Sequence, residues 1–206
     1  FHFYVKDPYG NIFEVIEGLP FFSKGKRHTG GAAGVSIGVS DMDASIKFYS
    51  EILGYDYVIS DKTGTFDDIA GLKGGDKKFR RVLLTHCEPR EGSFSRLLGC
   101  TQIELFQALD YQGRKMYKDR QWGDLGYIHL CFDVKNMSII KAECEEKGSP
   151  FRVDSGDKQF DMGEAAGHFA YIEDPDGSLI ELVETFKIPI VKKAGLYLNV
   201  AKRDPS

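Results

Sequence analysis

The feature that most constrains this chain is a hairpin-like segment that occurs twice. Residues 3–17 (FYVKDPYGNIFEVIE) align without a gap with residues 170–184 (AYIEDPDGSLIELVE). In each copy, two runs of alternating bulky and polar residues flank an Asp-Pro-x-Gly sequence, which favours a type I turn. A duplicated β-hairpin predicts a fold that is built by repetition of one β-rich unit.

Two further stretches share a strand–helix plan. Residues 33–40 alternate as a half-covered strand, residues 127–134 repeat that pattern, and each is followed by a helical pattern of apolar residues. Ser40 or Asp41 falls at the cap of the first helix and Asn136 at the cap of the second. The strands expected after these helices lie near 55–60, 63–69, 79–87, 101–107, 150–154 and 168–184. Two tandem β-α-β-β-β modules are therefore predicted, which is an α+β architecture.

The repeats also set the expected domain organisation. The expected segments are the terminal hairpin of a preceding, mostly absent domain of the same kind (1–18), a linker (19–32), a domain (33–186) with module one at 33–108 and module two at 126–186, and a C-terminal tail (187–206).

The composition excludes several classes of partner. Of the 206 residues, 42% are hydrophobic and 28% are charged, which is ordinary for a globular protein. The net charge of -4 argues against a nucleic-acid surface, and the basic run at 77–81 is predicted to be a solvated strand edge. No apolar run approaches the roughly 18 residues of a membrane span. The four cysteines lack CxxC spacing, so reduced thiols in a cytoplasmic protein are expected.

The motifs of these modules resemble those of the vicinal oxygen chelate superfamily. They are VSDMDASIKFYSEILGY at 39–55, HLCFDV at 129–134, and DPxGxxxE at 7–14 and 174–181. This superfamily includes glyoxalase I, methylmalonyl-CoA epimerase, extradiol dioxygenases and bleomycin or fosfomycin resistance proteins. The resemblance covers about residues 33–185 and implies mixed sheets that curl into a cleft, in a monomer or a homodimer.

The resemblance also implies a divalent metal, held by residues on the first and last strand of each module. The matching positions are Gly34, Glu104, His129 and Glu181, so three of the four can ligate Fe, Zn, Mn, Co or Ni. Gly34 departs from the family pattern because it has no side chain. The absence of a fourth protein ligand at this position either leaves an open coordination position for a chelating substrate or indicates a domain that binds ligands without metal.

The implied chemistry is polarisation of a substrate carbonyl by the metal. An enediolate or enolate would form, and Glu104 or Glu181 would leave the metal to shuttle the proton. This is the activity of a glyoxalase-like isomerase, lyase or epimerase that acts on a small oxygen-chelating substrate.

Three alternatives remain open at this point. Extradiol ring cleavage fits Tyr171, but residues 161–164 hold no His that could serve as the base. A non-catalytic binding protein would use a cleft lined by Tyr127, Phe106 and Tyr171, with His168 nearby. In the third alternative this domain is structural, and a preceding domain that supplies Glu14 as a ligand performs the chemistry.

Overall fold

The computed structural model of the chain describes residues 1–17, 31–88, 94, 100–156, 160–161, 166–191 and 196–199. The predicted linker therefore lies almost wholly outside the described residues. The helices and strands follow the order that repeated β-α-β-β-β modules require, with a strand directly before each helix and several strands after it. They are β1 (His2–Lys6), β2 (Ile12–Ile16), β3 (Gly34–Gly38), α1 (Met42–Glu51), β4 (Tyr57–Gly64), β5 (Phe79–Thr85), β6 (Gln102–Ala108), β7 (His129–Asp133), α2 (Met137–Glu146), β8 (Val153–Asp154), β9 (Phe160–Asp161), β10 (Ala166–Glu173), β11 (Leu179–Val191) and β12 (Leu196–Asn199).

The chain divides into two compact units. The first contains Phe1–Arg90, Arg96–Ile128 and Pro175–Gly177, and the second contains Glu91–Ser95, His129–Asp174 and Ser178–Ser206. Within the described ranges, neither helix has the length and the hydropathy that a membrane crossing requires.

The N-terminal hairpin of the first unit has the turn that its sequence predicts. Strands β1 and β2 pair antiparallel, with Tyr4 opposite Glu14. The Asp7 carboxylate accepts hydrogen bonds from the N–H groups of Tyr9 and Asn11, which satisfies the donors of the turn. Gly10 has a φ of 94°, a left-handed conformation that glycine adopts without strain.

Module one forms a four-stranded sheet in the order β3-β6-β5-β4, in which β3 and β6 are parallel. Of the two predicted cap residues, Ser40 and Asp41, it is Asp41 that caps helix α1, and its side chain accepts a hydrogen bond from the Ala44 N–H. The helix covers one face of the sheet. The buried residues of this core are Met42, Phe48, Tyr49, Val82, Leu84, Ile103 and Leu105. The strand expected at 63–69 is wrong, because β4 ends at Gly64 and turns follow it.

Module two forms a six-stranded sheet in the second unit. Strand β10 pairs antiparallel with β11, and β11 pairs parallel with β7. The Asp174 carboxylate accepts the Ser178 N–H in the turn between β10 and β11, as Asp7 does in the first hairpin. One face of the sheet is buried together with α2. The residues of this core are Met137, Cys144, Ala170, Ile172, Ile180 and Leu182.

The start of α2 differs from the prediction. Asn136 has a left-handed φ of 62° and its side chain makes no capping hydrogen bond. Instead, the Glu184 carboxylate on β11 accepts the N–H groups of Asn136 at 2.7 Å and of Met137 at 3.1 Å. A carboxylate stabilises the positive end of the helix dipole, so a neighbouring strand supplies the cap. That strand also continues into the expected tail, where residues 187–191 pair with β12.

Candidate functional site

The open face of module two brings together the two residues that the resemblance implies as ligands there. His129 Nε2 lies 2.9 Å from Glu181 Oε2, and both side chains are half-buried. Glu181 lies opposite Tyr171 on β10 and beside Cys131 on β7. The Tyr171 ring meets the His129 ring edge to face, with centroids 5.5 Å apart.

This pair fits two neighbouring positions around a metal ion. Two ligands with bonds of about 2.1 Å at a right angle are separated by about 3 Å, close to the observed contact. Cys131 lies beside this pair, on the same strand as His129. Its pKa is raised to about 12, first by desolvation of the thiol and then by the charge of Glu181, although part of the residue is exposed.

In module one, Glu104 is held by an arginine. Arg81 on the neighbouring strand β5 donates from Nε to Glu104 Oε1 at 2.9 Å, and its Nη2 lies 2.7 Å from the same oxygen. Its Nη1 donates to both oxygens of Asp68 at 2.9 and 2.7 Å. The guanidinium lies between the Phe66 and Phe106 rings, 4.6 Å from each centroid. Arg81 is only 9% exposed, so it forms a buried and fully engaged cation.

Arg81 corrects the prediction that the basic run at 77–81 is solvated. Both of its contacts with Glu104 are to Oε1, so this carboxylate oxygen is already engaged by a cation. Burial raises the pKa of Glu104, Arg81 partly counteracts this, and Glu14 and Asp68 raise it further. Because arginine stays protonated in proteins, Glu104 remains ion-paired with the Arg81 guanidinium.

Gly34 leaves no room for a ligand. A Cβ at this position would lie 2.0 Å from the carbonyl oxygen of Gln102, its partner on β6. Among the described residues, no group of three or more His, Cys, Asp and Glu side chains is arranged to hold a metal. His129 and Glu181 would therefore hold a metal in module two, whereas the module one positions do not fit one.

The N-terminal hairpin contributes a second polar cluster to the first unit. His2 Nδ1 lies 2.5 Å from Glu14 Oε1, and its Nε2 lies 3.7 Å from Asp68 Oδ2. The Tyr4 hydroxyl is buried without a hydrogen-bond partner among the described residues. Burial and then the charge of Glu14 raise the pKa of Tyr4, so it remains a neutral phenol. Sequence reasoning named Glu14 but missed the residues that hold it.

The residues expected to bind substrate are distributed over different surfaces. Tyr171 lies beside His129, whereas Phe106 packs on Arg81 in the first unit. Tyr127 donates a hydrogen bond to the Ile12 carbonyl at 3.2 Å, and its ring contacts Phe13.

His168 lies on the other face of module two from Tyr171. By the alternation of β10 it shares the helix-covered face with Ala170 and Ile172. There its Nε2 lies 2.6 Å from Asp154 Oδ1, and Lys141 of α2 binds the other oxygen of Asp154 at 2.8 Å. The structure therefore places His168 in a structural ion-pair network, apart from the His129 and Glu181 pair.

Comparison with known proteins supports the fold at the level of a superfamily. The family model for the Glyoxalase/Bleomycin resistance protein/Dioxygenase superfamily matches residues 31–182. A glyoxalase family protein from Bacillus cereus superposes with a TM-score of 0.57 and 17% identity, over 79% of this chain and 99% of that chain. A glyoxylase/bleomycin resistance protein/dioxygenase domain from Frankia sp. EAN1pec gives a TM-score of 0.50 and 18% identity, over 76% and 93%. No curated protein matches the chain. At such identities the solved structures establish a common fold alone.

Proposed function

Because the chain belongs to the glyoxalase/bleomycin resistance protein/dioxygenase superfamily, we propose that it is an acid–base enzyme acting on a small carbonyl compound. Glu181 moves the proton, and the observation that carries the proposal is its 2.9 Å contact with His129 on the open face of module two. A carboxylate and an imidazole in direct contact are the usual components of a proton-transfer site.

The two residues have distinct roles in this proposal. His129 donates from Nε2 to Glu181 Oε2 and so fixes the direction of the carboxylate. Glu181 accepts a proton from the carbon next to the substrate carbonyl, and the electron pair of that C–H bond moves toward the carbonyl oxygen to form an enolate. Where the carbon that loses the proton carries a hydroxyl group, the hydroxyl proton passes to the former carbonyl oxygen, and return of the carbon-bound proton to the neighbouring carbon gives isomerisation. Protonation of the enolate by water on the opposite face gives epimerisation, and the proton held by Glu181 returns to solvent. Tyr171 supplies an aromatic wall beside the imidazole.

Superfamily members often use divalent metals, and the proposal differs from them in one respect. The two module one positions supply no ligand here, because Arg81 binds Glu104 and the backbone of Gln102 fills the space at Gly34. The proposed transfer depends on the module two pair alone.

The test is exchange of substrate carbon-bound hydrogen with deuterated water, followed by NMR. Hemithioacetals of 2-oxoaldehydes and acyl thioesters provide acidic hydrogens next to a carbonyl. Glu181→Gln should slow exchange by about 100-fold or more, as expected for loss of a general base. Glu173→Gln is the matched control, because Glu173 on the adjacent strand pairs with Arg152 instead of His129. Each protein is assayed with a chelator and again with added Zn²⁺. Equal rates for both variants would refute the role of Glu181.

A second function, ligand binding without chemistry, is favoured by the Arg81 network. Two carboxylates hold its guanidinium in place and two aromatic rings flank it, which gives module one a fixed polar and aromatic surface. This function predicts that a ligand binds equally well to the wild type and to Glu181→Gln, while neither protein exchanges hydrogen. Titration calorimetry with the compounds of the exchange assay separates the two functions.

A further inference from the structure

The N-terminal hairpin has one polar face and one apolar face. On the polar face, His2, Tyr4 and Glu14 are directed toward Asp68 of module one. The register pairs Phe3 with Val15 and Val5 with Phe13, which places these four side chains together on the other face. Phe3 is 58% exposed, Val5 44% and Phe13 46%. We refer to Phe3, Val5, Phe13 and Val15 as the bare face.

The internal repeat shows what normally lies on such a face. In module two the matching register pairs Ala170 with Leu182 and Ile172 with Ile180. These four residues are at most 1% exposed, and they are buried together with the apolar side of α2. The hairpin of module two therefore has an apolar face that matches the bare face of the N-terminal hairpin. In module two, helix α2 covers that face.

Module one follows the same rule. Strands β5 and β6 bury Val82, Leu84, Ile103 and Leu105 completely on the face that α1 covers. Two independent copies of the repeated unit thus cover their apolar hairpin face with the helix that follows the first strand. The bare face is the third copy of that surface, and an exposed apolar patch of this kind indicates a binding surface.

The free edge of the hairpin indicates how a partner would align. Strand β11 pairs in parallel with β7 along Leu179–Val183, and the residues that match this segment are those of β2. Among the described residues, β1 and β2 form a two-stranded sheet, so no further strand pairs with β2. Tyr127 reaches the start of this edge, where its hydroxyl donates to the Ile12 carbonyl and its ring contacts Phe13 of the bare face.

We propose that the bare face docks the strand–helix half of a further β-α-β-β-β module. Its strand pairs in parallel with β2 and replaces the Tyr127 hydroxyl at Ile12, and its amphipathic helix lies across Phe3, Val5, Phe13 and Val15. The helices of a second copy of this chain do not supply this element, because their apolar sides are already buried. Met42 and Tyr49 of α1 and Met137 and Cys144 of α2 are at most 1% exposed.

The experiment supplies such an element to the full chain. A second copy of residues 127–149 is fused ahead of Phe1 through a flexible Gly/Ser linker, which raises its effective concentration. The control fusion carries Met137→Asp and Ile140→Asp in the added copy only. Hydrogen exchange of residues 1–17, followed by mass spectrometry, should slow by about tenfold or more in the first fusion relative to the control. Phe13→Asp in the acceptor hairpin should abolish this protection, and exchange in β5 and β6 verifies that the first unit stays folded.

Two results would overturn the proposal. One is equal exchange of residues 1–17 in the two fusions. The other is concentration-dependent dimerisation of the unfused chain, measured by sedimentation velocity, that the milder variant Val5→Ser abolishes. That outcome would assign the bare face to a second copy of the chain.

Discussion

Arg81→Ala tests whether the buried guanidinium organises the open face of module one. The substitution removes the contacts to Glu104 and Asp68 and the stacking on Phe66 and Phe106. Removal of one partner from a buried ion pair costs about 3–5 kcal/mol, because the other charge is left in a poorly solvated place. Since both carboxylates keep some contact with water, the lower end applies, and we expect a loss of about 3 kcal/mol in the free energy of unfolding.

The neighbouring residue Arg80 provides the matched control. Arg80 also pairs with two carboxylates, Asp61 and Asp43, but these lie on an exposed surface. Exposed pairs contribute about 0–1 kcal/mol, so Arg80→Ala should cost less than about 1 kcal/mol. Urea denaturation followed by circular dichroism measures both free energies. A loss for Arg81→Ala that is no greater than the loss for Arg80→Ala would refute the inference that the network is buried and coupled.

The pH dependence of the Arg81→Ala loss has a defined sign. Burial raises the pKa of Glu104 already in the wild type, and loss of the guanidinium raises it further. A carboxyl group with a raised folded-state pKa favours the folded state below its unfolded pKa, and that contribution is lost as the pH rises through the folded pKa. The cost of Arg81→Ala should therefore be smaller at about pH 5 than at about pH 7. The double variant Arg81→Met/Glu104→Met, which leaves no lone charge at position 104, should recover part of the loss.

Three further predictions concern the helix cap, the first strand and an acidic residue. Glu184→Ala should destabilise the chain by about 1 kcal/mol, because α2 loses its carboxylate cap. Asn136→Gly should change stability little, since the Asn136 side chain makes no capping hydrogen bond and glycine adopts its left-handed backbone conformation without strain. Urea denaturation compares the two variants. Gly34→His should lower Tm and add no bound metal, because the Cβ of the new histidine would meet the backbone of the neighbouring strand. Metal content measured by mass spectrometry would contradict this if the variant bound more metal than the wild type. Burial opposes ionisation of Asp154, but hydrogen bonds from its lysine and histidine partners prevail and hold its pKa below 3.8. The stabilisation that ionised Asp154 provides is therefore present above pH 3.8 and is lost as the pH falls. Asp154→Asn should weaken this loss of stability in acid, measured by denaturation between about pH 5 and about pH 2.

Local patterns predicted the elements because the physics that forms them is local. The alternation in 101–107 places Ile103 and Leu105 on the helix-covered face and Glu104 on the other, and the structure confirms this. The cap at Asp41 follows from its own position in the chain, and it is also confirmed.

The failures concern contacts between segments that are distant in sequence. Glu184 caps α2 from a strand more than a helix length away, so no local pattern at Asn136 could reveal it. Arg81 was assigned to a solvated run by composition. However, Arg81 and Leu83 are two residues apart on β5 and share a face, and Leu83 lies opposite Glu104, so Arg81 is on the face of Glu104. The residue that completes its ion pairs, Asp68, lies in the turns after β4, where strand periodicity carries no information.

The three copies of the repeated hairpin explain why the same motif does not predict one function. Glu14, Glu104 and Glu181 occupy matching positions on the open face of their sheets, yet each has a different partner. Glu14 contacts His2 on its own hairpin, Glu104 is held by Arg81, and Glu181 contacts His129 on a parallel strand. The motif fixes where each carboxylate lies, but the partner from a neighbouring strand decides its charge balance and its freedom to accept a proton. Arg81 pairs Glu104 with a cation that stays protonated, whereas Glu14 and Glu181 each contact an imidazole, which can exchange protons. Within the two complete modules, the proposed chemistry therefore belongs to module two, and replacement of His129 should alter activity as strongly as replacement of Glu181 itself.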